Sequence, residues 1–184
     1  MEMSIARRQK MVRARRARGF SLIELGIVIA VIAVLAAVVI FGRGFIAAGR
    51  ITKAVEAMNT IRKSASTYAG LQGGALKAST ASELPTLTAR SLLPVLGQNG
   101  AWTVSGTPGT PDSISITNLR FGQNGVNNAV AITVTTPNPA MAQDVFNATA
   151  NDNNLILNGV VVGASPACAT NPGNSNTITL CFNL

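Results

Sequence analysis

Residues 19–41 read GFSLIELGIVIAVIAVLAAVVIF, a stretch that is apolar almost throughout. After its first residue the only polar side chains are those of Ser21 and Glu24. A helix over these positions, at about 1.5 Å per residue, is roughly 33 Å long, and the apolar core of a bilayer is about 30 Å thick. The stretch therefore predicts a membrane-spanning helix, which we place at residues 20–42.

The segment before this helix is strongly basic. Residues 1–19 carry seven of the fifteen lysines and arginines of the chain against one acid, Glu2, and so supply most of the formal net charge of +8. A basic run that lacks interleaved aromatic residues and adjoins an apolar helix is typical of a topology signal rather than of a nucleic-acid surface. The pattern predicts a cytoplasmic N-terminus.

Helical periodicity continues beyond the apolar stretch. Over residues 51–68 apolar side chains recur at helical spacing, with charged and polar side chains between them, as in an amphipathic helix. We predict one long helix that ends near Gly70 and has its amphipathic half at residues 43–70. Gly42 and Gly44 are its weakest point, because glycine disfavours helix by about 1 kcal/mol relative to alanine.

After Gly74 the chain is rich in Thr, Ser, Asn, Gly and Pro, with short apolar clusters between turn residues. This punctuation predicts β-strands. A short helix is predicted within residues 82–96, and a helix capped by Asn138 is predicted to end near Ala150. The strands are predicted at residues 101–104, 113–117, 129–135, 155–162 and 177–182. The predicted fold class is α+β, a long N-terminal α-helix packed on an antiparallel β-sheet, with residues 71–184 as an extracytoplasmic head domain.

The residues from Gly19 to Glu24 resemble the processing site of type IV prepilins, the precursors of bacterial filament subunits. The resemblance implies that a membrane-bound prepilin peptidase cuts between Gly19 and Phe20 and removes residues 1–19 as a leader peptide. It also implies that Phe20 is N-methylated and that Glu24 is the glutamate used in assembly.

A physical argument supports this role for Glu24. An ionised carboxylate in the first turn of a helix in hydrocarbon is costly unless it has a partner. Cleavage after Gly19 creates an amine at Phe20, which pairs with Glu24 of a neighbouring subunit once the helices bundle. The helix dipole also favours a carboxylate at this end. The alternative is that Glu24 only reaches the lipid headgroups and has no function in assembly.

Other features are similar to those of type IVb pilins. The leader is long, no proline interrupts residues 25–68, and residues 52–71 resemble the corresponding helix of toxin-coregulated and related type IVb pilins. We therefore predict a major type IVb pilin that polymerises into a surface filament. The alternatives are a minor pilin or a pseudopilin of a type II secretion system, and a membrane-anchored binding module that does not polymerise.

The resemblance also implies partners and a location. The partners are prepilin peptidase, the pilus assembly machinery, the membrane and other copies of the chain in a helical homopolymer, with nucleic acid expected only as cargo. The subunit is expected in the inner (cytoplasmic) membrane before assembly and in an extracellular pilus afterwards. The segment from Gly42 to Gly44 is expected to melt when the subunit enters the filament.

The two cysteines, Cys168 and Cys181, lie near the C-terminus and do not form a C-x-x-C unit. A disulfide is the simplest interpretation of this pair, and it agrees with delivery to an oxidising compartment. Two buried free thiols are the alternative.

The residues needed for catalysis are missing from the sequence. It contains no histidine, no P-loop and no S-x-x-K motif, so we expect no enzymatic activity, no cofactor and no metal ion. Asp144 and Asp152 could form a calcium site with neighbouring asparagines, but a solvated loop is favoured. Residues 42–47 match G-x-G-x-x-A without the preceding strand that a dinucleotide site requires. Trp102 and Phe121 are predicted to be core residues.

Overall fold

A 50-residue helix, α1, extends from Leu22 to Leu71 in the computed structural model. The structure describes residues 20–97, 100–107, 110, 113–157, 168 and 172–184. The chain forms two compact units, Met1–Gly42 and Arg43–Leu184, which we call the N-terminal unit and the head unit. The prediction of one long helix that ends near Gly70 is confirmed.

The part of α1 that lies in the N-terminal unit has an apolar surface. Every large apolar side chain from Leu22 to Phe41 is at least half exposed. By length and composition, α1 is the one helix in the described part of the chain that is able to cross a membrane. Exposed apolar area of this extent is unfavourable in water, whereas a helix in lipid satisfies its own backbone groups. The unit therefore fits a membrane environment.

In the described residues of the head unit, four antiparallel strands form one sheet in the order β1-β2-β3-β4. Their bounds are β1 Trp102–Ser105, β2 Ile114–Asn124, β3 Asn127–Thr135 and β4 Thr177–Asn183. A two-residue loop, Gly125-Val126, joins β2 to β3. Gly125 has a φ of +64°, which a tight hairpin turn requires and which glycine adopts without steric cost. The predicted antiparallel α+β fold is confirmed.

β2 is longer than predicted because a bulge changes the phase of its side chains. Ile114 and Ile116 are buried before the bulge, and Leu119 and Phe121 are buried after it. The register against β3 shifts between Ile116 and Asn118, which leaves Thr117 as the extra residue. The alternation of apolar and polar residues therefore breaks at Thr117, where the predicted strand ended, although the strand continues.

The core of the head unit lies between α1 and one face of the sheet. α1 contributes residues at helical spacing, and the sheet contributes the inward-facing residues of β2, β3 and β4. The α1 residues in this cluster are Ala54, Ala57, Met58, Ile61, Ala65 and Ala69. Full burial of a side chain such as Ile61 stabilises the fold by about 1.5–3 kcal/mol. The amphipathic half of α1 therefore packs against one face of the sheet and forms the core with it.

Two short helices also contribute residues to this core of the head unit. α2, Leu84–Ala89, lies within the predicted region and buries Leu84 and Leu87. α3, Pro139–Thr149, begins as predicted, since the Asn138 side chain accepts a hydrogen bond from the Met141 N–H at 2.9 Å. An N-cap of this kind satisfies one of the unpaired donors of the first turn.

Among the described residues, no strand lies beside the second half of β2 on the β1 side, and a loop takes that place. The N–H of Ser79 donates to the carbonyl of Phe121 at 3.0 Å, and the N–H of Phe121 donates to Oγ of Ser79 at 2.8 Å. The N–H of Leu119 donates to Oγ of Ser82 at 3.4 Å. Two serine hydroxyls therefore replace the carbonyls of a missing strand, so that buried N–H groups keep partners.

The strand predicted at residues 155–162 is absent where the structure describes it. Leu155 forms one isolated bridge with Phe182, and the Ile156 N–H donates to the carbonyl of Cys181 at 2.8 Å. Residues 158–162 lie outside the described residues. Ile156 is buried against the sheet without belonging to a strand, so the short apolar cluster that predicted a strand indicates only burial at this position.

Candidate functional site

The predicted cleavage bond joins Gly19, which lies outside the described residues, to Phe20, the first described residue. Phe20 is 87% exposed and precedes the helix, which begins at Leu22. The chain on the C-terminal side of the predicted bond is therefore non-helical at Phe20 and helical two residues later. A peptidase that cuts extended backbone needs such a non-helical position.

Glu24 lies in the first turn of α1 and hydrogen-bonds to the N-terminal backbone of the same helix. The backbone N–H of Ser21 donates to Oε2 of Glu24 at 2.8 Å. The backbone N–H of Ile23 donates to Oγ of Ser21 at 3.3 Å. Ser21 and Glu24 are the S-x-x-E residues of a capping box, here with the serine hydroxyl on the N–H of the second helical residue instead of the third. The two bonds satisfy two donors that a helix N-terminus leaves unpaired.

Ser21 and Glu24, three residues apart, are a sequence signal for this capping box, and Ser21 was not among the predicted site residues. The carboxylate is favoured there by the helix dipole. It is flanked by exposed apolar side chains such as Leu22 and Leu25. Glu24 is therefore a single acid at the end of an apolar helix surface.

The C-terminal cysteines form a disulfide, Cys168–Cys181, with a Cα–Cα distance of 5.5 Å. Cys181 belongs to β4 and packs with Ala129, Ala131 and Ile156 in a small second cluster. The free-thiol alternative is therefore wrong. The disulfide links the segment before β4 to the sheet of the head unit.

In the part of the chain that the structure describes, both carboxylate oxygens of Asp152, a residue considered for a calcium site, have partners within the fold. Oδ2 of Asp152 pairs with Nη1 of Arg62, and Oδ1 of Asp152 accepts the Asn154 N–H at 2.9 Å. Asp152 is therefore not the solvated loop residue that was favoured. Within the described ranges, no group of three or more His, Cys, Asp or Glu residues could hold a metal ion. Asp144 is exposed on α3.

Arg62 joins three elements of the head unit. It lies on α1, pairs with Asp152 just after α3, and places its guanidinium 4.7 Å from the ring centre of Phe182 on β4. The side chains of Arg62 and Asp152 are only 15% and 27% exposed. The sequence contained no signal for this pair, because its members are 90 residues apart.

The prediction that Phe121 is a core residue is confirmed, since it is buried and stacks on Tyr68 with ring centres 5.5 Å apart. Trp102 is only partly buried and packs against the core, so the same prediction is confirmed there only in part. Residues 42–47 lie within α1 and follow no strand. The dinucleotide interpretation of that segment is therefore excluded.

Comparison with known proteins adds one finding at the N-terminus. The family model described as the prokaryotic N-terminal methylation motif matches residues 14–40, which include Gly19, Phe20 and Glu24. No curated protein and no solved structure matches the chain. The matched segment contains the capping box and most of the apolar part of α1, and it precedes a head unit with an antiparallel sheet. Residues 14–40 therefore carry the N-terminal methylation motif, and in this segment the chain is similar to type IV prepilins.

Proposed function

We propose that the chain is the precursor of a filament subunit that is cut between Gly19 and Phe20, methylated on the Phe20 amine and polymerised outside the cytoplasm. The observation that carries this proposal is the match of the methylation motif to residues 14–40. That match includes the bond to be cut and the acid, Glu24, that is to be paired. The protein acts as a structural subunit without enzymatic activity.

Cleavage changes the electrostatics of the N-terminus in two ways. It removes residues 1–19, whose basic side chains hold the N-terminus in the cytoplasm. It also creates an amine at Phe20, four positions before Glu24. In the low dielectric of the bilayer, an ion pair between this amine and Glu24 of a neighbouring copy replaces two isolated charges. Cleavage therefore creates one half of the assembly contact.

The exposed apolar surface of the N-terminal unit supports polymerisation through α1. While the subunit is in the membrane, lipid covers this surface. Outside the membrane the same surface would meet water, unless the helices of other copies cover it. A bundle of these helices in the filament core, with the head units outside, replaces the lipid and keeps the apolar surface away from water.

The first experiment is mass spectrometry of the mature chain. A chain that starts at monomethylated Phe20 is the expected result. Gly19→Leu should block processing, because the side chain obstructs the backbone next to the cut, while Gly42→Ala, at an open helical position, should be processed normally. Processing of Gly19→Leu to the same mature mass would refute the cleavage assignment.

The second experiment replaces the assembly acid. Glu24→Leu should insert in the membrane normally, since removal of a charge favours hydrocarbon, but should not form filaments. Glu56→Leu is the matched control, because Glu56 is an exposed glutamate on the same helix. Normal filaments from Glu24→Leu would refute the pairing of Glu24 with the Phe20 amine of a neighbouring copy.

The specific assignment is a major type IVb pilin, supported by the length of the leader and by the absence of proline from α1. A minor pilin or a type II secretion pseudopilin has the same N-terminal motif. Sequencing the principal subunit of purified surface filaments distinguishes these candidates. Recovery of this chain only in trace amounts would favour the minor pilin or the pseudopilin.

A further inference from the structure

The capping box at the start of α1 has a second consequence, which concerns the orientation of Glu24. Oε2 of Glu24 accepts the Ser21 N–H at 2.8 Å. Among the described residues, Glu24 has no other hydrogen bond or ion pair with another residue, so Oε1 is open. The Glu24 carboxylate is thus turned back toward the backbone of Ser21, instead of extending along the apolar helix surface.

Ser21 keeps this orientation through its hydroxyl. Oγ of Ser21 accepts the Ile23 N–H at 3.3 Å, which fixes the turn that aims the Ser21 N–H at Glu24. A free glutamate side chain has several rotatable bonds, and ordering them opposes any contact that it makes later. The capping box orders the Glu24 side chain before it meets a partner, so that less conformational entropy is lost when the pair forms.

We propose that Ser21 is a positioning residue for assembly: it holds the Glu24 carboxylate with Oε2 on its own helix and Oε1 free for the Phe20 amine of a second copy. This inference rests on the proposed function, because it assumes that Glu24 pairs with that amine. A carboxylate has enough lone pairs to accept both contacts at once. The subunit therefore keeps its cap when it enters the filament.

A purely structural role for Ser21 predicts something different. In that case the hydroxyl only stabilises the first turn, and its loss acts equally whatever residue occupies position 24. The remainder of α1 continues to Leu71 and satisfies its own backbone. A role through Glu24 makes the effect of Ser21 depend on the charge at that position, and this dependence is measurable.

The experiment expresses each full-length variant together with a tagged wild-type chain in the same cells. The measured quantity is the ratio of variant to wild type in sheared filaments, divided by the same ratio among processed subunits in the membrane, so that differences in cleavage cancel. Ser21→Ala and Ser21→Gly remove the hydroxyl, and glycine remains an acceptable N-cap. Ser21→Thr retains the hydroxyl, and Ser66→Ala is a control at an exposed serine of the same helix.

We expect Ser21→Ala and Ser21→Gly to enter filaments about three to ten times less well than wild type, the factor that corresponds to losing the order of one side chain. Ser21→Thr and Ser66→Ala should enter as wild type does. In a Glu24→Gln background, Ser21→Ala should add less than about a two-fold loss, because the charge that Ser21 positions is gone.

Three results would overturn the inference. They are normal entry of both Ser21→Ala and Ser21→Gly, failure of Ser21→Thr to restore entry, and an equal loss from Ser21→Ala in the wild-type and Glu24→Gln backgrounds. Glu24→Leu, measured in the same assay, separates this inference from the proposed function. If Glu24→Leu enters normally, the pairing itself is wrong; if it is excluded while Ser21→Ala enters normally, only the positioning role is wrong.

Discussion

Replacement of Arg62 by alanine should destabilise the head unit more than any change of an exposed charge on α1. The Arg62 and Asp152 side chains are 15% and 27% exposed. This ion pair is therefore intermediate between a surface pair and a fully buried pair. Surface pairs contribute about 0–1 kcal/mol, and breaking a buried pair costs about 3–5 kcal/mol. The lost contact with Phe182 adds about 0.5–2 kcal/mol. We expect a total loss of about 3 kcal/mol in the free energy of unfolding.

The assay is urea unfolding of the detergent-solubilised full-length chain, followed by fluorescence of its single tryptophan, Trp102, on β1. A temperature scan of the same protein should show a thermal midpoint about 6–12 °C lower for Arg62→Ala, at about 2–4 °C per kcal/mol for a chain of this size. Lys63→Ala is the matched control, because Lys63 is the next residue and is exposed. It should change stability by less than about 0.5 kcal/mol.

A double-mutant cycle with Asp152→Ala tests the reasoning directly. If the ion pair carries most of the loss, Asp152→Ala should cost much less in an Arg62→Ala background than in the wild-type chain. Equal costs in the two backgrounds, or a loss from Arg62→Ala no larger than that from Lys63→Ala, would refute the idea that this pair joins α1 to the sheet.

Three further predictions concern other parts of the chain. Reduction of the Cys168–Cys181 disulfide should lower the free energy of unfolding by about 3 kcal/mol, given 13 residues of sequence separation, which a shift of the urea midpoint in dithiothreitol would measure. Ser79→Ala should cost about 1–3 kcal/mol, because the buried N–H of Phe121 loses its acceptor; an unchanged urea midpoint would contradict this. Residues 42–44 should lose helical structure in the filament, and a filament map with continuous helix there would count against the melting hypothesis.

The N-terminal features were predictable from the sequence because their causes are local. An apolar run followed by residues at helical spacing determines α1, and the positions of Gly19 and Glu24 beside that run determine the candidate processing and assembly residues. The Asn138 cap was predictable for the same reason, since a cap depends on residues within one helical turn. These predictions needed no knowledge of which segments meet in space.

The full extent of β2, the pairing of Arg62 with Asp152 and the edge formed by Ser79 were decided only by the tertiary structure. A bulge at Thr117 reverses which residues face the core. No local sequence pattern indicates that β2 continues beyond this bulge. An ion pair across 90 residues and a serine hydroxyl that stands in for a strand exist only because the chain brings these segments together. Periodicity and charge act along the chain, so the sequence predicts the apolar helix and the candidate cut after Gly19, whereas partners across the core depend on the fold.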